Sequence, residues 1–180
     1  LHNEGARRLG EEMIAECGLP ADAVFEAVTL GDPGVVRAIG ELHPDVGLSV
    51  LFAHILKADL LHLFPRGGLN VHPGYLPYNR GRNAQIWGII DGTPVGATLH
   101  YMDEGVDTAP IVERIEVVIA PTDTGKSLRA KLESASADVL KKGWSAVVAG
   151  VAPVPQDASA GTAHRVRDVE EISEIDLDAT

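Results

Sequence analysis

The sequence predicts an α/β fold, and three observations carry the prediction. Helix-type and strand-type segments alternate along the first half of the chain, the order expected for strands joined by right-handed crossovers. Val46 to Phe52 is an apolar run with almost no polar alternation, which suits a strand covered on both faces of a parallel sheet. The chain has 180 residues, 45% of them hydrophobic, enough for one sizeable core.

Gly5 to Cys17 reads as an amphipathic helix. Leu9, Met13, Ile14 and Cys17 fall at helical spacing, and Gly18 and Pro20 end it. Cys17 fits there as a small apolar packing residue. Val24 to Leu30 is a short strand or extended connection. Asp32-Pro33 starts a helix as N-cap and first residue, with Val35, Val36, Ile39 and Leu42 as its buried stripe. Pro44-Asp45 breaks it before the Val46 to Phe52 strand. Ala58 to Phe64 is a short helix, and Pro65 to Gly68 turns the chain into a strand carrying Leu69, Asn70 and His72.

Asn83 to Asp91 is helical, with Ile86, Trp87, Ile89 and Ile90 on or near its buried face, and Gly92-Thr93-Pro94 is a turn. Val95 to Met102 and Ile111 to Ile119 have strand composition. The second interleaves apolar residues with Glu113, Arg114 and Glu116, so the pair is expected to be antiparallel and exposed on one side. Thr122 to Val148 is a long amphipathic helix capped by Thr122 or Asp123, with a kink near Gly143. A tail with Pro153 and Pro155 follows Gly150.

The formal net charge of -11 argues against broad binding to nucleic acid or to an anionic membrane. No apolar run is long enough to span a bilayer. Cys17 is the only cysteine, so no intrachain disulfide and no Cys-rich zinc site is expected, and a reducing, cytoplasmic setting fits. Thr124-Gly125-Lys126-Ser127 resembles the end of a phosphate-binding loop. The required glycine is Ala120 instead, so these residues read as a helix start. No GxGxxG follows a strand, which leaves dinucleotide binding without support.

The chemistry concentrates in Asn70, His72 and Asp107. Asn70 and His72 are two apart, so in a strand they share a face, beside a loop braced by Pro73 and Gly74. Asp107 lies in the acidic loop Asp103 to Thr108. An amide and an imidazolium can donate to an oxyanion, while a carboxylate orients the imidazole and accepts a proton directly or through water. No activated hydroxyl or thiol is evident, which speaks against covalent catalysis. His72, His100 and Asp107 are also competent metal ligands, although Asn70 beside them is a poor one, and no metal is expected. The same residues equally fit an ordinary reading, as a loop cap, a satisfied histidine and a solvated carboxylate.

Asn-Val-His-Pro-Gly-Tyr-Leu-Pro at 70–77, Gly81, Trp87-Gly88-Ile89, Gly92, Gly96-Ala97-Thr98-Leu99-His100 and Asp103-Glu104-Gly105-Val106-Asp107-Thr108 occur in this order. From Asp45 to Val117 the chain resembles the 10-formyltetrahydrofolate-dependent formyltransferase family. The resemblance implies a Rossmann-like sheet with flanking helices and Asn70, His72 and Asp107 as the catalytic triad. It also implies a folate pocket lined by Phe52, Ile55 and Leu56 and by Asp103, Glu104, Gly105 and Val106. The formyl donor would be 10-formyltetrahydrofolate. Tyr75 to Gly81, Leu99-His100-Tyr101 and the tail Pro155 to Asp168 are most similar to the sugar-nucleotide N-formyltransferase branch. The acceptor so implied is the amine of an amino-deoxysugar nucleotide, attacking directly through a tetrahedral intermediate, with Arg80, Arg82, Arg165 and Arg167 as candidates for its diphosphate. A methionyl-tRNA or glycinamide ribonucleotide acceptor, or hydrolysis of the formylfolate, are the alternatives. A homodimer is left open.

Two departures from the family stand out. Ala109 occupies a position that is usually glycine, where an alanine needs negative φ. The family's first strand, helix and second strand have no counterpart before Leu1. That predicts exposed apolar edges on Val46 to Phe52 and an excerpt of a longer protein, trimmed at both ends. Residues 1–150 are accordingly read as an N-terminally incomplete catalytic domain, and 151–180 as a truncated C-terminal extension.

Overall fold

The computed structural model describes residues 12, 14–50, 52, 54–165 and 168. The expected features at Leu9, Met13 and Arg167, and those beyond Asp168, lie outside them. Residues 14–17 are helical, but Cys17 is exposed and packs no core. Val24 to Leu30 is not a strand. Two short 3-10 turns, Ala21–Ala23 and Ala27–Thr29, follow Pro20 instead, closed by Ala23 N to Pro20 O and Thr29 N to Glu26 O.

The regular elements are α1 (Pro33–Glu41), β1 (Gly47–Val50), α2 (Ala58–Leu61), β2 (Gly68–His72), β3 (Arg80–Gly81), α3 (Ala84–Ile90), β4 (Gly96–Tyr101), β5 (Ile111–Glu116), α4 (Gly125–Ala149) and β6 (Ala163–His164). Four strands form the main sheet in the order β1-β2-β4-β5. β1 and β2 run parallel across α2, while β4 is antiparallel to both β2 and β5. Asp32 caps α1 as expected, its Oδ1 accepting from Gly34 N at 2.7 Å and Val35 N at 3.3 Å. Among the described residues, no helix is long and apolar enough to cross a membrane.

The core lies on one face of this sheet, under α4. Leu69 and Val71 of β2 and Ala97 and Leu99 of β4 point there, against Ala135, Val139 and Val147. The opposite residues, Asn70, His72, Thr98 and His100, alternate with them and face the other way. A period of two thus separates apolar packing from polar chemistry along both central strands.

α4 is one continuous helix through Gly143, where a kink was expected. The glycine serves close approach: a Cβ there would lie 2.6 Å from Leu99 Cδ2 and 3.2 Å from Glu113 Cβ. Gly143→Val should therefore destabilise the fold by about 1–3 kcal/mol, the usual cost of overpacking a tight contact. The readout is the urea midpoint, and an unchanged midpoint would show that helix and sheet can separate freely. The cap of α4 is Thr124, not Thr122 or Asp123. Its hydroxyl accepts from Ser127 N, and Ser127 Oγ accepts from Thr124 N in return. Asp123 instead accepts from Ala120 N and pairs with Lys131 at 2.6 Å.

Other elements differ in which face they bury. Val46 to Phe52 is not covered on both sides. Among the described strands of the main sheet β1 is outermost, and Leu48 and Val50 are each 45% exposed. α3 buries Ala84, Trp87 and Gly88, while Ile86, Ile89 and Ile90 face outward. Gly88 sets that orientation, because any Cβ there would overlap Val95 Cγ2. β5 stops at Glu116 rather than Ile119. Val117 N still bonds Val95 O, but β4 begins at Gly96 and offers nothing beyond it, so Val118 is exposed.

Candidate active site

β2 and β4 bring the polar side chains together by register. Asn70 pairs with His100 and His72 with Thr98. Asn70 Nδ2 lies 3.2 Å from His100 Nε2. The other ring nitrogen of His100, Nδ1, faces the Tyr101 carbonyl, which can only accept, so Nδ1 carries the proton. Asn70 Nδ2 and Asp107 Oδ1 both approach Nε2, the amide as a donor to the neutral ring and the carboxylate as an acceptor from the protonated one. The second N–H of Asn70 stays free for another acceptor.

Asp107 closes the group from its loop. Its Oδ2 accepts from Gly81 N at 2.9 Å and lies 3.5 Å from His72 Nδ1; its Oδ1 lies 3.4 Å from His100 Nε2. Asp107 has a left-handed backbone, φ 53°, a region that Asp enters more readily than most residues. Ala109 has no positive φ, so the usual glycine is not needed for conformation there. Its methyl group is buried.

Electrostatics separate the two titrating partners. Burial is the largest influence on Asp107 and pushes its carboxyl up. The His100 contact, the charge of His72 and the Gly81 N–H together outweigh it and hold the group at about 2. His72 is 4% exposed, and burial pushes its imidazole below the usual range, with Asp107 acting upward and His100 adding to the fall. His72 is therefore neutral at pH 7. With an ionised carboxylate beside Nδ1, the proton belongs on Nδ1, and Nε2 is left with a lone pair. That atom is buried and has no hydrogen-bond partner. Gly74 lies against it, where any Cβ would overlap Nε2. Thr98 fixes this turn, donating to Gly74 O at 2.6 Å and accepting from Leu76 N at 3.1 Å.

The group opens into a cavity of about 660 Å³. Phe52, Ile55, Leu56 and Val106 give it an apolar wall, and Asp103 and Gly105 line it with the catalytic candidates. Ile55 is 79% exposed, an apolar side chain held out at the mouth. Glu104 does not line the cavity. The loop is preformed: Asp103 Oδ1 accepts from Gly105 N at 2.9 Å and Thr108 Oγ1 at 2.7 Å. A bicyclic aromatic ligand with polar edges fits this donor set and the apolar wall. Among the described residues, no group of three or more His, Cys, Asp or Glu has an arrangement that could hold a metal ion.

The four arginines divide. Arg82 and Arg165 line the cavity, whereas Arg80 turns its Nε toward Thr162 O at 3.4 Å. Residues 151–165 form a strap that returns to the site. β6 pairs with β3, the His164 ring stacks on Trp87 at 3.9 Å, and Thr162 and His164 both meet Asn79 Oδ1. Asn79 is buried, and its Nδ2 donates to Thr93 Oγ1, so it organises the loop from within.

Sequence reasoning missed two contributors: His100 as the partner of Asn70, and the backbone N–H of Gly81. His100 carried a signal, since it stands out beside His72 and Asp107 as a possible ligand.

Comparison with known proteins gives a consistent result. A family model described as formyl transferase matches residues 3–143. The chain is similar to the formyltransferase PseJ from Anoxybacillus kamchatkensis, solved in complex with UDP-4,6-dideoxy-4-formamido-L-AltNAc and tetrahydrofolate. The identity is 27% and the TM-score 0.68, over 75% of this chain and 71% of that one. It is similar to a sugar N-formyltransferase from a Shewanella species, with 26% identity and TM-score 0.75, over 84% of this chain and 60% of that one. It is also similar to a 4-N formyltransferase from Francisella tularensis, with 27% identity and TM-score 0.71, over 81% of this chain and 60% of that one.

Proposed function

The chain belongs to the formyl transferase family and is a formyl-transferring enzyme, and from that premise we propose that it formylates the amine of an amino-deoxysugar nucleotide. The observation that carries the proposal is the unpartnered Nε2 of His72, buried beside Asp107 and Asn70 at the wall of a cavity with an apolar side. When bound, 10-formyltetrahydrofolate supplies the formyl carbon and departs as tetrahydrofolate. Phe52, Ile55, Leu56 and Val106 would hold its ring system, and the Asp103 to Asp107 backbone would meet the polar edge. The tetrahydrofolate bound by the Anoxybacillus enzyme supports this donor.

The residues then act at stated atoms. Asn70 keeps one N–H engaged by His100 and offers the other to the formyl oxygen as negative charge develops there. His72 takes the proton of the attacking amine at Nε2. Asp107 holds Nδ1–H and stabilises the imidazolium so formed, which would hand that proton to the departing folate nitrogen as its bond to the formyl carbon breaks and the carbonyl re-forms. In this reading the neutral imidazole, rather than the carboxylate, takes the first proton. Residues 1–150 supply this machinery, with 151–165 as a wall of the acceptor side.

The acceptor class rests on the sugar N-formyltransferases among the similar structures and on the two cavity-lining arginines. Arg82→Met and Arg165→Met should each raise KM for the sugar nucleotide about tenfold, the loss of one charge-assisted hydrogen bond, with kcat within about twofold. The test of function is release of tetrahydrofolate with and without a UDP-linked 4-amino-4,6-dideoxy sugar. Release that requires the amine supports transfer. Amine-independent release would make the chain a hydrolase, and no release in either case would overturn the proposal.

A further inference from the structure

The geometry points to Gln156 as a positioning residue: from the strap after α4, it holds the Asp107 backbone in the conformation that turns the carboxylate onto His72 and His100. The inference rests on the catalytic reading above and extends it to a residue of the strap. Gln156 Nε2 donates to two carbonyls, Asp107 O at 2.9 Å and Ala109 O at 2.6 Å. Carbonyl oxygens only accept, so this orientation of the amide is the one that bonds both. The cost is visible at the other end, where Gln156 Oε1 is buried without a partner.

Such a clamp has something to hold. The left-handed backbone at Asp107 is strained by roughly 1–2 kcal/mol for a residue with a Cβ, and it persists where neighbours over-determine it. Gly81 N fixes the side chain through Oδ2, and Gln156 fixes the main chain through the carbonyl. The strap is itself anchored. Ile111 and Val154 exchange two backbone hydrogen bonds of 2.8 and 2.7 Å, two residues from Gln156. Release of the Asp107 carbonyl would let φ relax and swing the carboxylate away from the histidines. Ala109, with its buried methyl and negative φ, lets both carbonyls converge on one nitrogen.

Gln156→Met in the full chain keeps the side-chain length and removes both donors. Two readouts separate positioning from general support. In steady-state kinetics, kcat should fall about ten- to hundredfold, the penalty of a misplaced group, with KM for both substrates within about threefold. In NMR, the ring protons of His72 should titrate at lower pH than in the wild type. The upward pull of Asp107 is then weaker while burial is unchanged. If the wild type transfers formyl groups, the inference needs both changes. An unaltered kcat or an unmoved His72 titration overturns it. If the wild type proves inactive, the proposed function fails separately, and the titration alone decides whether Gln156 places Asp107. Should Gln156→Met not fold, Gln156→Leu, which adds no charge, carries the same two measurements.

Discussion

His72→Ala should lower kcat by about 100-fold or more, while the affinity for tetrahydrofolate stays within a few-fold of wild type. The split follows from the separation of roles in the cavity. The apolar wall is built by Phe52, Ile55, Leu56 and Val106, none of which touches the imidazole through a hydrogen bond. Nε2 has no partner to lose, and the substitution deletes a buried polar atom that was unsatisfied in the free protein. The fold should therefore tolerate the change, and thermal melting serves as the control. Single-turnover kinetics with pre-bound donor would read the chemical step directly. Near-normal turnover would remove His72 from the mechanism.

Asp107→Asn should have a comparable effect, with a pH signature of its own. The carboxyl is held at about 2 against an ordinary 3.8, so it is ionised across the neutral range. The asparagine can still accept from Gly81 N, but it no longer favours a proton on His72. The rate should rise with pH as His72 loses its proton, below the usual imidazole range. In Asp107→Asn this limb should move to still lower pH, and the plateau should fall about 100-fold or more. Stability follows the sign of the depressed carboxyl. Its contribution, about 2 kcal/mol, is full above the unfolded-state carboxyl range near 4, and is lost as pH falls through about 2. Urea melts of the two proteins should differ most at neutral pH and converge in strong acid. A gap that widened on acidification would contradict the assigned ionisation.

The sequence made the centre of the site legible because its logic is local. Asn70 and His72 are two apart in a strand, and that spacing alone puts them on one face. The antiparallel β4–β5 pair and α4 were equally legible from period. What could not be read depends on register and on long returns of the chain. His100 meets Asn70 only because β2 and β4 pair in one alignment out of several. Gln156 reaches Asp107 across 49 residues. The isoleucines of α3 carried an apolar signal, yet Gly88 against Val95 turns the other side inward, and no periodicity reports such a contact. Glu104 was assigned by its place within a motif, but the turn made by Asp103 directs it away from the cavity. Thr124 was passed over as a cap because Thr122 and Asp123 precede it, and only the Thr124–Ser127 exchange distinguishes them.

The alternation along β2 and β4 ties foldedness to activity. Sliding β2 by one residue would send Asn70 and His72 under α4 and turn Leu69 and Val71 toward the cavity. Such a slip would bury two polar side chains and expose two apolar ones, so a chain that errs in pairing forfeits its core and its chemistry in the same step. Damage to the interior should then appear as fewer competent molecules, each turning over at the native rate. In a mildly destabilised variant such as Leu99→Val, activity should track the folded fraction along a urea titration.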